Sequence, residues 1–188
     1  RLSYSVMKSL LVTGGCGYIG SHTVVELLKH GYKVVVYDNF VNSSLKIKDR
    51  IFELTGDEIQ FIEGDVRDDK KLDETFTKFK IDGVLHFAGL KDVNESVQNP
   101  ILYHEINVLG SLQLLKMMKK HDVKTIVFSS SATIYGASKE LPLLENTRSI
   151  MPLNPYGSTK LMVEQVLRDI YCSDNSWRII ILRYFNPV

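Results

Sequence analysis

A short apolar run that ends in clustered glycines and opens at once into a helical period leaves a chain few ways to fold. Here "SLLVT" (9–13) runs into "TGGCGYIG" (13–20), and a helical stretch follows to about His30. The glycines read as GxxGxxG (Gly14, Gly17, Gly20) or as GxGxxG (Gly15, Gly17, Gly20). In a strand–turn–helix unit they serve a tight turn, close backbone approach to a pyrophosphate, and close packing of helix on strand. The free N–H groups of the new helix then face the phosphates. No Lys-Ser/Thr follows the glycines, which excludes a nucleoside triphosphate P-loop.

The same alternation continues to the end of the chain. Gly31 is placed to stop the first helix. "KVVVYD" (33–38) is a second strand whose unbroken apolar run predicts burial on both faces, as in a parallel sheet. A polar, partly helical segment runs to about Gly56, and "IQFIEGD" (59–65) is the third strand. A helix over 67–79 places Leu72, Phe76 and Phe79 on one side, and "GVLHFAG" (83–89) is the fourth strand. After Pro100 a long helical region carries Val108, Leu112, Leu115 and Met118 at helical spacing. "KTIVFSSS" (124–131) is the fifth strand, a loop spans Ala132 to Asn154, and "WRIIILRYF" (177–185) is the sixth strand, with Trp177 expected in the core. Strands alternating with helices predict an α/β fold: a doubly wound parallel sheet of the Rossmann type, over residues 8–188. Ligands of such sheets bind outside the carboxyl ends of the strands.

Composition narrows the partners. Lys+Arg at 23 against Asp+Glu at 22 leaves a net charge of +1, which gives no footprint for nucleic acid or an anionic membrane. The two cysteines, Cys16 and Cys172, offer neither metal spacing nor a disulfide framework, so no metal is expected and a reducing, cytoplasmic compartment is. Apolar runs such as "VVVY" are far too short to span a bilayer, and "RLSYSV" lacks the h-region of a signal peptide. The chain opens on Arg1 and stops at Val188 just after a strand, so it reads as a piece of a longer protein.

The strand ends carry the chemistry. Asp38 closes strand two, where a carboxylate accepts hydrogen bonds from the adenosine ribose and repels a 2′-phosphate, which favours NAD(H) over NADP. The plainer reading of Asp38-Asn39 is turn formation. Gly64-Asp65-Val66, Phe87-Ala88-Gly89 and Ser129-Ser130-Ser131 end the next three strands on the same edge. Asn154 is a helix cap and Pro155 suits the first helical position, so Tyr156 and Lys160, one turn apart, share a face beside that edge. A free phenol titrates near 10, so only about one in a thousand is ionised at pH 7. A nearby cation and an oxidised nicotinamide would lower it; about three units correspond to roughly 4 kcal/mol, within the reach of close charges. His86 and His22 read as structural.

The stretches "TGGCGYIGSHT", "DNFVNS", "EGDVRD", "HFAGLKDVNESV", "FSSSATIYG", "NPYGSTKLMVEQ" and "LRYFNPV" together resemble the extended short-chain dehydrogenase/reductase superfamily, and within it the UDP-glucose (UDP-galactose) 4-epimerase family. The resemblance implies that Tyr156 is the base and acid for the sugar 4-hydroxyl, Lys160 its electrostatic partner and Ser131 a donor to the same oxygen. It implies NAD contacts from Gly14, Gly17, Tyr18, Ile19 and Gly20 at the pyrophosphate, and from Asp38, Asn39, Asn42 and Ser43 on the adenosine side. Asp65 and Val66 would meet the adenine; Phe87, Ala88, Gly89, Lys91, Asn107, Ser129, Tyr156 and Lys160 would line the dinucleotide, with Phe185 against the nicotinamide. Lys91, Ser131, Ala132, Thr133, Tyr156 and Asn186 would face the UDP-sugar. Lys91 and Asn107 can equally be ordinary loop and helix residues.

The family reaction is redox-neutral: NAD takes hydride from C4, the 4-keto sugar turns over, and hydride returns to the other face. The family's 4,6-dehydratase relatives carry an Asp-Glu pair after strand five, where this chain has Ala132-Thr133, so loss of water is not expected. The resemblance further implies UDP-glucose and UDP-galactose as substrates, a homodimer, and a smaller substrate lobe beyond residue 188, without which this piece has little turnover. The alternatives are another nucleotide-sugar epimerase or decarboxylase of the superfamily, or a catalytically silent NAD-binding module.

Overall fold

The computed structural model describes residues 9–138, 141–147 and 151–187; Lys8 and Val188, the ends of the expected domain, lie outside them. Six strands form the sheet: β1 (Ser9–Thr13), β2 (Lys33–Asp38), β3 (Gln60–Glu63), β4 (Gly83–His86), β5 (Thr125–Ser131) and β6 (Arg178–Tyr184). Their order is β3-β2-β1-β4-β5-β6, and every neighbouring pair is parallel. This is the doubly wound Rossmann arrangement, with the direction of winding reversing between β1 and β4. The reversal opens a crevice at the carboxyl end of β1, where the glycine turn lies.

Among the described residues seven α-helices flank the sheet: α1 (Tyr18–Lys29), α2 (Lys46–Thr55), α3 (Asp69–Lys78), α4 (Val93–Gln98), α5 (Pro100–Tyr103), α6 (Gly110–Lys120) and α7 (Pro155–Ser173). A π-helical turn, His104–Leu109, joins α5 to α6, and a 3₁₀ turn, Ala132–Tyr135, follows β5. The two-residue period of β2 sorts its side chains onto two faces. Val35 and Tyr37 pack with Leu72 of α3, Leu114 of α6 and Leu167 of α7, whereas Val34 and Val36 pack with Val24 of α1 and Ile51 of α2. Trp177 is buried in the first of these clusters, as expected. On β6, Ile179 and Ile181 pack against that cluster, while Ile180 and Leu182 on the opposite face are 55% and 38% exposed. Among the described residues no helix is long and apolar enough to cross a membrane.

The elements differ from expectation where backbone leaves the sheet or where small residues carry the packing. β3 and β4 end at Glu63 and His86, shorter than expected, where the backbone leaves the sheet ladder. α4 was not expected; Asp92 caps it by accepting a hydrogen bond from Glu95 N–H. Leu112 does not join Leu115 and Met118 in the core, since the buried stripe of α6 starts from Gly110 and Ser111. Gly110 lets α6 approach Val66 so closely that a Cβ would lie 2.6 Å from Val66 Cγ2.

The glycine turn resolves its two readings. Gly14 has a φ of +66° and a Cβ there would lie 2.5 Å from Ala88 N, while Gly17 donates to the Gly14 carbonyl at 3.1 Å. A Cβ on Gly20 would run into that same carbonyl oxygen. Gly14, Gly17 and Gly20 therefore meet one another, so the GxxGxxG spacing describes the turn. Gly20→Ala must push α1 off β1; a loss of about 1–3 kcal/mol is expected, read as a lower urea midpoint. An unchanged midpoint would show that the turn yields freely.

Candidate active site

The site follows the carboxyl edge from β2 to β6. α1 begins at Gly17 without a side-chain cap, which leaves its first-turn amides, including those of Tyr18 and Ile19, free for an anion. Asp38 is buried, and its carboxylate accepts from Cys16 N–H (2.9 Å), Phe40 N–H (2.9 Å) and the Ser43 hydroxyl (3.1 Å). It thus makes the turn that the plainer reading foresaw and also ties that turn to the glycine loop. Asn39 reaches Asp65, whose carboxylate takes two guanidinium bonds from Arg67 at 2.8 and 2.9 Å. The Arg67 hydrogen bonds hold the Asp65 carboxyl down at about 2. The Val66 side chain is committed to the core, so only its backbone can meet a ligand.

The catalytic candidates converge at the ends of β5 and α7. Asn154 caps α7 by accepting from Gly157 N–H at 2.8 Å, with Pro155 in the first turn. That fixes the helix start, and with it the direction of Tyr156. The Tyr156 phenol lies beside Ser131, whose oxygen accepts from Thr133 N–H (3.2 Å) and the Thr133 hydroxyl (3.0 Å). Two donors occupy the Ser131 lone pairs, so its own proton is directed outward, as a donor. Lys160 is buried; its ammonium donates to the Ser129 carbonyl at 2.8 Å and stands 5.8 Å from the centre of the Tyr156 ring.

Burial dominates the electrostatics of Tyr156 and Lys160. Burial pushes the Tyr156 phenol above its usual value, and the Ser131 hydrogen bond opposes this. Burial also brings the Lys160 ammonium down to about 8, and among the described residues it makes no ion pair. A buried cation with no carboxylate beside it fits a polar ligand such as a ribose diol, which can satisfy its remaining donors.

A second layer holds these groups. Asn107, inside the π-helical turn, accepts from Leu90 N–H (2.8 Å) and donates to the Leu90 carbonyl (3.0 Å) and to Thr159 (3.1 Å). Its side chain is thereby spent on the protein, clamping the chain after Gly89 to α7. His86 is buried between Thr13 (2.6 Å) and Ser111 (2.9 Å), and Ser111 donates to the Asn107 carbonyl at 2.5 Å. With the Ser111 proton committed, His86 donates from Nε2 and accepts from Thr13 at Nδ1; burial keeps it neutral, pushed down to about 3. This structural role matches expectation. Lys91, Asn42, Phe185 and Asn186 are exposed, and Phe185 lies 6.3 Å from the Tyr135 ring centre. Sequence reasoning passed over Thr159, Glu164 and Arg183. Glu164 lies one turn beyond Lys160 on the same helical face, and that spacing was its only signal.

Residues 10–188 match the model of the NAD dependent epimerase/dehydratase family. The chain belongs to that family. It is 50% identical over 184 residues to UDP-glucose 4-epimerase 2 of Arabidopsis thaliana, covering 96% of this chain and 52% of that protein. It is likewise 50% identical over 182 residues to the UDP-glucose 4-epimerase of Bacillus subtilis. Among solved structures, the Bifidobacterium longum UDP-glucose 4-epimerase in complex with NAD+ and UDP superposes with a TM-score of 0.95 at 51% identity, over 96% of this chain and 54% of that one. The chain thus spans about half the length of the family members it matches.

Lys160 gives this family member a testable instability. A lysine whose folded value lies below its unfolded one carries fewer protons when native, so stability rises with pH between about 8 and the ordinary lysine value of 10.5. Below that window the buried charge costs stability. Lys160→Met should therefore make the NAD-free protein more stable at pH 7, by on the order of 2 kcal/mol, with the gain fading as pH climbs through 8 to 10. Denaturant titrations across pH check this; a variant less stable at pH 7 would show the ammonium to be compensated.

Proposed function

We propose that the protein carrying this chain is a UDP-glucose 4-epimerase, interconverting UDP-glucose and UDP-galactose with tightly held NAD, in cytoplasmic galactose metabolism. The observation that carries the reading is the convergence of Ser131, Tyr156 and a buried Lys160, without an ion pair among the described residues, at one sheet edge beside a glycine turn whose helix lacks a side-chain cap. Support for the sugar comes from relatives of that name at half identity or more.

The residues present fit NAD. The close approach of Gly14 to Ala88 leaves backbone rather than side chain along the dinucleotide path. Gly17, Tyr18, Ile19 and Gly20 would hold the pyrophosphate; Asp38, Asn39, Asn42 and Ser43 the adenosine; Asp65 and the Val66 backbone the adenine. Phe87, Ala88, Gly89, Lys91, Ser129 and Phe185 would line the nicotinamide half, and Asn107 would act there by fixing the Gly89–Leu90 chain. When bound, NAD supplies a positive nicotinamide that accepts and returns the C4 hydride. Lys160 would then reach ribose hydroxyls and, with the added positive charge, would draw down the Tyr156 phenol that burial raises. Tyr156 takes the proton from the sugar 4-hydroxyl while Ser131 donates to the same oxygen. Ala132 and Thr133 place no carboxylate beside the sugar, so this geometry supports proton transfer at the 4-hydroxyl and not elimination. Lys91 and Asn186 complete the sugar side in the proposal.

In the full-length, NAD-loaded protein, Tyr156→Phe should keep its NAD while losing about 10²–10⁴-fold in exchange of UDP-galactose for UDP-glucose. Turnover within a few-fold of the parent would remove the mechanism, and a silent NAD module would show no parental turnover to lose.

The proposal includes a homodimer. Ile101, Leu109 and Leu112 are 75%, 44% and 42% exposed and line one groove along α5, the π-helical turn and α6, an apolar face suited to helix-on-helix pairing with a second copy. Leu112→Glu should convert a dimer to a monomer in sedimentation, with the fold retained. A dimer that persists would place the interface elsewhere.

A further inference from the structure

Glu164 is fully buried on α7, yet its carboxylate is crowded with donors. One oxygen accepts from Ser130 (2.6 Å) and from Arg183 Nε (3.0 Å). The other accepts from Arg183 Nη2 (2.8 Å) and Arg168 Nη2 (2.7 Å). Arg183, on β6, is only 14% exposed and turns its remaining edge the other way. There Nη1 donates to the Tyr135 hydroxyl (2.8 Å) and to the Glu145 carbonyl (2.9 Å). Tyr135 in turn donates to the Leu144 carbonyl at 3.0 Å.

The placement matters more than the charge. Ser130 lies between Ser129, whose carbonyl holds Lys160, and Ser131, the donor beside Tyr156. Tyr135 ends the 3₁₀ turn that starts at Ala132 and carries Thr133. One guanidinium therefore ties the helix of Tyr156 and Lys160 to the turn expected against the sugar and to the chain at Leu144–Glu145. A buried ion pair is seldom more stabilising than packed apolar side chains, whereas a planar fork with five fixed donors sets geometry.

We infer that Arg183 is a positioning residue for the sugar side of the site: it latches the Ala132–Tyr135 turn, through Tyr135, and the Leu144–Glu145 corner to Glu164. The inference rests on the epimerase reading for what the latch serves, but the latch has a readout of its own. The carbonyl that Arg183 holds belongs to Glu145, the residue after which a glutamate-specific protease cuts.

The test uses full-length, NAD-loaded protein with Tyr135→Phe, Arg183→Lys and the double variant. Each single variant should raise the KM for UDP-galactose about fivefold or more, with most of the loss in KM rather than kcat. Each should also speed cleavage after Glu145 by about tenfold, identified by fragment mass. The double variant should be no worse than Arg183→Lys, because both changes break the same contact. NAD content should match the parent, which separates this from general loosening. Folded variants with unchanged KM and unchanged cleavage, or effects that multiply in the double variant, overturn the inference. Should Arg183→Lys not fold, Tyr135→Phe decides alone through the same two readouts. If the parent itself does not interconvert the two UDP-sugars, the epimerase reading fails, and cleavage after Glu145 then supports or overturns the latch.

Discussion

Between β1 and α1 the backbone passes so close to the end of β4 that a methyl group on Gly14 would lie 2.5 Å from Ala88 N. That approach is possible only because β1 and β4 are adjacent, with β2 on the other side of β1. It brings the glycine turn, the Phe87–Gly89 segment and the tip of β2 to one edge. Asp38 then fastens the turn through the Cys16 amide, and Thr13 fastens β1 to His86. With side chains excluded from the pass, the crevice is walled by backbone and lined by groups that can face a dinucleotide.

Two buried charges one turn apart on α7 are treated in opposite ways. Glu164 receives two guanidinium bonds from Arg183, one from Arg168, and a serine hydroxyl besides. Among the described residues Lys160 has one carbonyl and the rings of Phe128 and Tyr156, 5.0 and 5.8 Å from their centres. The first arrangement fixes the helix; the second leaves a cation whose solvation is incomplete until something polar arrives. Stability is surrendered at Lys160, where a ligand can restore it, and is held at Glu164, where nothing has to move.

Much of this was legible in the sequence because it rests on local rules. Asn154-Pro155 marks a helix start in any context, and "KVVVYD" is too apolar to be anything but a strand covered on both sides. The glycine spacing needed the fold to choose between its readings, since Gly14 is constrained by Ala88, far along the chain. The long α6 stripe misled at Leu112 because hydrophobicity overlooks Gly110 and Ser111, whose smallness is what lets the helix approach. The π-helical turn had no local signature; it follows from Asn107 reaching both Leu90 and Thr159. Arg183 and Glu164 were invisible for a like reason: a charge reads as surface until its partners, from β5 and from the chain after β5, are in place.

The pairing of β1 with β4 also orders the assembly of the chain. Thr13 and His86 are 73 residues apart in sequence, whereas β1 and β2 meet across a single helix. A chain growing from its N-terminus can pair β1, β2 and β3 while the flank of β1 that β4 will occupy is still bare. The glycine turn has no Ala88 to rest against until residues 83–89 dock, and His86 has no Ser111 until α6 follows. The phosphate cradle is therefore encoded first and completed late, which links its formation to closure of the long loop between β1 and β4.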